Sequence, residues 1–258
     1  MNINGRKLLA MTSALAALLL GVAGLWAAPP AQPDLSHLLP ELDRLTNFQT
    51  DFTSVYTEVT AHPGQPQNVV QHTVYRRNRD GSMTIIMLAP QSKKGQGYVE
   101  VSNNFWFYDP ASRLFSHASL KENWLNTEAM NSDFFRTNWA TDYAIEDQSE
   151  GTLGVYPVYI LELKGANDQV TFPFKKIWVR KDISIVLKAE DYSLSRRLMR
   201  TVYYPEYTRI GEQYVATRML MVDALNVGSK TQMTLTDLST AALPDFTFTK
   251  AFLQQVNR

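Results

Sequence analysis

The sequence predicts a mainly β chain, a single antiparallel domain whose strands curl around a hollow or a core as in a barrel. Three observations predict it. Runs of β-branched and aromatic residues recur between turn signals at the spacing of antiparallel all-β architecture. Phe105-Trp106-Phe107-Tyr108 sets four aromatics in succession, two on each face of a strand, which calls for apolar surroundings on both sides. Later strands repeat that demand: Leu198 and Val202 oppose Met199 and Tyr203, and Met219 and Met221 oppose Leu220 and Val222.

Taken in order, the chain opens with Arg6 and Lys7 before a nearly unbroken apolar run to Leu25, followed by small residues and Ala28-Pro29-Pro30. Residues 1–27 read as a cleaved secretory signal, the alternative being an uncleaved anchor, and residues 28–33 as a Pro/Ala linker. The domain is expected at 34–258. Asp34 is an expected N-cap for an amphipathic helix buried through Leu35, Leu38, Leu39, Leu42 and Leu45, with Pro40 kinking it. Strands are expected at 48–59, 69–77, 82–88, 97–101, 105–108, 156–163, 174–180, 184–189, 198–204, 214–223 and 230–238. Asn78-Arg79-Asp80-Gly81 suits a tight hairpin turn between the second and third.

Residues 121–138 break the pattern. Trp124, Leu125, Met130, Phe134 and Phe135 do not alternate, which fits both short helices plugging a barrel mouth and a mobile lid. At the end, Phe248 closes a strand and Thr249 caps a last helix.

Composition narrows the chemistry. An exported chain of about 230 residues after signal removal is long enough to rest on its core without disulfides. It has no cysteine, so thiol catalysis, cysteine–zinc sites and acylation of the chain itself are not expected. Basic and acidic residues number 25 each, and losing Arg6 and Lys7 leaves −2, no field for nucleic acid. His37, His62, His72 and His117 lack ligand spacing and read as structural or surface residues. Asp142, Glu146, Asp147 and Glu150 read as a solvated strand edge. No enzyme, metal or cofactor site is expected. Arg76, Arg77 and Arg79, then Lys175, Lys176, Arg180 and Lys181, then Arg196, Arg197 and Arg200, read as charged strand ends or as docking points for acidic headgroups. Nine methionines, most on expected strands, suit both core filling and an adaptable cavity.

Several segments together resemble the outer-membrane lipoprotein-sorting family, carriers of the LolA type and their larger relatives. Leu45-Thr46-Asn47-Phe48-Gln49-Thr50-Asp51-Phe52 is similar to the family's opening, Tyr75-Arg76-Arg77 to its basic strand end, and Leu88-Ala89-Pro90 to the close of its next strand. Asn104-Phe105-Trp106-Phe107-Tyr108-Asp109-Pro110 resembles its aromatic hairpin. Lys94-Gly95-Gln96-Gly97-Tyr98, Met130-Asn131-Ser132-Asp133-Phe134 and Phe248-Thr249-Lys250-Ala251-Phe252-Leu253 resemble the larger relatives.

The resemblance implies an unclosed antiparallel β-barrel with helices closing one side over a cavity for acyl chains. It further implies a periplasmic carrier serving lipoproteins or another lipid between an inner-membrane transporter of ABC or RND type and an outer-membrane acceptor. The alternatives are a lipid shuttle paired with an RND exporter and an envelope-stress sensor on the same barrel. Phe52, Tyr75, Ile85 and Met87 are expected in the cavity, with Phe105, Phe107 and Trp178. Arg77 is expected to hold a lid carrying Met130, Phe134 and Phe135.

Overall fold

In a computed structural model of the chain, residues 34–102 and 104–256 are described; the expected signal and linker lie outside them. The residues from Leu35 onward form one compact unit. Its frame is a single sheet of thirteen strands, every neighbouring pair antiparallel.

The first half is a meander of β1 (Asp51–Ala61), β2 (Asn68–Arg77), β3 (Ser82–Ala89), β4 (Gly97–Val101), β5 (Asn104–Asp109) and β6 (Leu114–His117). The second runs through β7 (Tyr143–Leu153), β8 (Tyr156–Gly165), β9 (Phe174–Arg180), β10 (Val186–Tyr192), β11 (Leu198–Ile210), β12 (Gln213–Asp223) and β13 (Lys230–Ser239). β13 pairs with β1, joining the halves, while β6 and β7 stand at the two open edges. The barrel is therefore unclosed, and residues 118–142 must pass from one edge to the other. The sheet curls: residues of β2, β3 and β5 share one apolar cluster with Val202, Met221 and Met233 from the other half.

Three short helices complete the fold. α1 (Leu38–Thr46) buries Leu38, Leu39, Leu42 and Leu45. It starts at Leu38 with His37 as N-cap, not after Asp34, and Pro40 falls in the first turn, where a missing N–H costs nothing and no kink is required. α2 (Trp139–Asp142) leads into β7, and α3 (Lys250–Gln255) ends the described chain. As expected, Thr249 caps α3, its hydroxyl accepting from the Phe252 N–H at 3.2 Å. The residues before it form a 3-10 turn, Asp245–Phe248, where a strand end was expected.

Two strands, β6 and β7, go beyond the expected set. β6 is four residues long and mostly exposed, too short to show a pattern. β7 is an edge strand and contains Glu146, Asp147 and Glu150, where charge discourages pairing with another chain, while Asp142 of the expected cluster ends α2. Asp80-Gly81 makes the β2–β3 turn, with Gly81 at φ 77, a conformation that suits glycine.

Candidate functional site

Register decides which side chains meet inside the curl. Phe52 lies opposite Arg76, Tyr56 opposite His72, and Glu58 opposite Val70. β3 continues those rows with Met83 beside Arg76 and Met87 beside His72. Ile85, Tyr98 and Phe107 make another row across β3, β4 and β5. The result is an inner face rich in aromatic, methionine and aliphatic groups.

Residues 118–138 lie over this face. Trp124 and Phe134 point inward and are fully buried, with ring centroids 4.6 Å apart. Trp124 packs on Tyr98 at 4.9 Å and Phe134 meets Tyr56 edge-on at 5.7 Å, while Leu125 and Phe135 pack at the margin of the same cluster. The attachments around the segment are polar. Arg200 on β11 donates to the Glu128 carbonyl at 2.9 Å and to both oxygens of Asp133 at 2.6 and 2.7 Å. The Glu128 N–H donates to Thr231 Oγ1 at 2.9 Å, and Lys121 Nζ to the Asp168 carbonyl at 2.6 Å. The His62 ring contacts Ser229 Oγ and the Asn126 carbonyl at 3.2 and 3.3 Å. The segment is thus greasy beneath and tied to the sheet by polar contacts, the Arg200 set of them buried.

The latch is not Arg77. That residue sits on the outer face, bonded to Asp51, to Asp245 and to the Leu243 carbonyl, with its guanidinium 4.5 Å from the Phe248 ring centroid. It ties the C-terminal segment to β1. The arginine bonded to residues 118–138 is Arg200. Burial alone would lower its pKa, but Asp133 and Asp191 outweigh this and hold it charged. Burial would likewise raise the Asp191 carboxyl, yet Lys175 and Arg200 keep it below the usual value.

The other expected residues divide by face. Phe52, Ile85, Met87, Phe105 and Phe107 belong to the inner apolar cluster, with Phe134 and Phe135 of the lid. Tyr75 does not: one residue from Arg76, it points outward onto Phe252 of α3, centroids 5.8 Å apart. Trp178 is also outward, with Lys188 Nζ 4.0 Å from its ring, because Ile177 and Val179 take the inner positions of β9. Met130 is half-buried, its N–H donating to Asp133 Oδ2 at 2.7 Å.

Polar groups are sealed under the lid. Glu58 and His72 are fully buried, with His72 Nε2 3.9 Å from Glu58 Oε1. Neither has a hydrogen-bond partner, nor does the Trp124 indole N–H. The indole N–H favours the carboxylate without reaching hydrogen-bond geometry. Burial pushes the Glu58 carboxyl well above its ordinary value, and Asp133 adds to that rise. Burial pulls His72 down to about 3. His72 is therefore neutral near pH 7, and burial favours the neutral form of Glu58. His72 is thus not the satisfied structural histidine that sequence suggests.

Beside the lid a cleft of about 620 Å³ stays open, lined by Arg76, Arg136, Phe135, Trp139, Tyr204 and Met219 among others. A smaller hollow of about 150 Å³ adjoins it, reaching Phe48, Phe52, Tyr56, Val215 and Leu235. Among the described residues, no group of three or more His, Cys, Asp or Glu could hold a metal ion. None of the described helices is long and apolar enough to cross a membrane.

A family model whose description reads "Uncharacterized protein" matches residues 79–255. No curated protein matches the chain by sequence. Among solved structures it is similar to a LolA superfamily protein of Nitrosomonas europaea, with 26% identity and a TM-score of 0.74 over 83% of this chain and 97% of that one. A DUF1329 family protein of Desulfovibrio piger has 21% identity and a TM-score of 0.77, covering 85% and 97%. A putative outer membrane lipoprotein-sorting protein domain of Vibrio parahaemolyticus has 16% identity and a TM-score of 0.75, covering 85% and 97%.

Proposed function

The chain belongs to the family whose model spans residues 79–255 and has the LolA-superfamily fold, and from that premise we propose that it is a periplasmic carrier of acyl chains. Its cargo is the lipid part of lipoproteins, or a related lipid, taken from an inner-membrane transporter of ABC or RND type and passed toward an outer-membrane acceptor. One observation carries this reading: an apolar inner face covered by a segment that is greasy underneath and held by hydrogen bonds and ion pairs, with a cleft of about 620 Å³ open beside it. None of these contacts belongs to a strand ladder, so the segment can lift without breaking the sheet.

The energetics favour such a device. Each methylene exposed to water costs about 0.8 kcal/mol, so acyl chains need shelter to cross an aqueous compartment. The wall offers dispersion and desolvation rather than directed bonds, which tolerates varied chains and permits release. Methionines Met83, Met87, Met219, Met221 and Met233 add surface that repacks around different chains.

The test is mass spectrometry of lipid co-purifying with the exported protein, paired with depletion of the protein and fractionation of the membranes. The expected result is acyl lipid bound to the carrier and mislocalised lipoprotein on depletion. Bound lipid with lipoproteins correctly sorted would assign a different lipid cargo, and protein free of lipid that takes up none would end the carrier reading.

A further inference from the structure

Arg76 and Arg136 face the open cleft, and among the described residues neither guanidinium has a hydrogen bond or a carboxylate at ion-pair distance. Arg76 comes from the inner face of β2, half-buried, with Phe52 stacked 5.1 Å from its carbon. Arg136 comes from the lid and is exposed. Both line the 620 Å³ cleft and the adjoining apolar hollow, so they sit where the two meet. The two cations raise each other's energy: burial and then the charge of Arg136 bring the Arg76 pKa down.

The carboxylates lining the same cleft are engaged elsewhere. Asp133 and Asp191 serve Arg200. Asp142 accepts from the Asn138 N–H at 3.3 Å, and Asp80 from the Ser82 N–H at 3.0 Å. Asp43, near Arg136, accepts from the Trp139 and Ala140 N–H groups at 2.8 and 2.9 Å. Two unpaired arginines at the mouth of an apolar hollow match a ligand with a small anion at the end of a hydrocarbon chain.

We propose that Arg76 and Arg136 clamp the acidic head, carboxylate or phosphate, of an acyl amphiphile whose chain lies along Phe52, Tyr204 and Met219. The inference rests on the carrier reading and narrows its cargo to acidic amphiphiles. One arginine from the sheet and one from the lid makes the anion a bridge, so that binding draws the lid toward the sheet.

Calorimetry on the mature chain at about pH 8, where acyl carboxylates are ionised, compares dodecanoate, dodecyl phosphate, dodecanol and inorganic phosphate. Both acids are expected to bind at least about tenfold more tightly than dodecanol, the scale of a charge-assisted contact. Arg76→Gln and Arg136→Gln should each remove most of that gap and leave dodecanol binding unchanged. Arg136 is exposed, so its variant keeps the test sound if the β2 variant folds poorly. Equal affinity for acid and alcohol, or variants that retain the gap, overturns the clamp while leaving the carrier intact. Tight binding of inorganic phosphate alone also overturns it, as a free-anion site. If no alkyl ligand binds, the carrier reading fails first and the clamp with it.

Discussion

Glu58 makes the cost of closing the lid visible in one side chain. Met233 and Val70 flank it across the strands, and it has no hydrogen-bond partner. Its folded pKa lies well above the ordinary 4.5. Between those values the unfolded chain releases a proton that the folded chain keeps, so stability falls as pH rises. The slope approaches about 1.4 kcal/mol per pH unit. His72 works the other way: with a folded value of about 3 against 6.5 it adds stability as pH rises through that interval. Where the two intervals overlap, above about pH 4.5, their slopes oppose each other. Denaturant titrations at several pH values should therefore show Glu58→Gln gaining on wild type as pH rises above about 4.5, since His72 contributes equally to both proteins. Parallel curves for the two proteins would mean that Glu58 is hydrated and ionised in the folded state.

Elements show where sequence reading succeeds and where it stops. Strands β2, β3 and β9 are recognisable because β-branched and aromatic runs end at polar turns. Alternation also sorts each strand into two sets, but it does not say which set faces inward when both faces are covered. α3 covers the outer face of β2 to β5, so Tyr75, Trp106 and Tyr108 are as apolar as their inward neighbours. The latch was hidden for another reason: Arg200 is separated from Asp133 by 67 residues, and its local neighbours Arg196 and Arg197 look alike. Arg77, beside the inward Arg76, differs from it only by parity.

Two predictions belong to this scale. Gly97 is the point at which α3 approaches β4, since a Cβ there would lie 2.6 Å from Leu253 and 2.7 Å from the Ile85 carbonyl. Gly97→Ala should cost about 1–3 kcal/mol, read from the thermal midpoint, because the backbone contact has no flexible end to give way. An unchanged midpoint would show that α3 is not seated there. For the lid, Asp133→Asn removes the charge that pairs with Arg200 but leaves Asp191 beside it. Hydrogen exchange should quicken in residues 121–138 and stay unchanged in β1, β2 and β13. Uniform acceleration across the sheet would make the segment permanent core instead of a cover.

For the whole molecule, the open edges and the available volume set what can be carried. Because β6 and β7 are not joined, the connecting segment has room to move without breaking a ladder. If a methylene occupies roughly the 30 Å³ of a water molecule, a sixteen-carbon chain needs about 500 Å³. One such chain fits the cleft of about 620 Å³ with the lid in place. A cargo with two or three chains does not, and its extra chains must take the space now filled by Trp124 and Phe134. The two classes should therefore separate in hydrogen exchange. A single-chain amphiphile leaves residues 121–138 at least as protected as in the free protein, while a diacyl or triacyl lipopeptide exposes them and protects the inner face of β1 to β5. Equal protection of the lid under both loads would mean that the sheet itself widens, and that Trp124 and Phe134 stay where they are during transport.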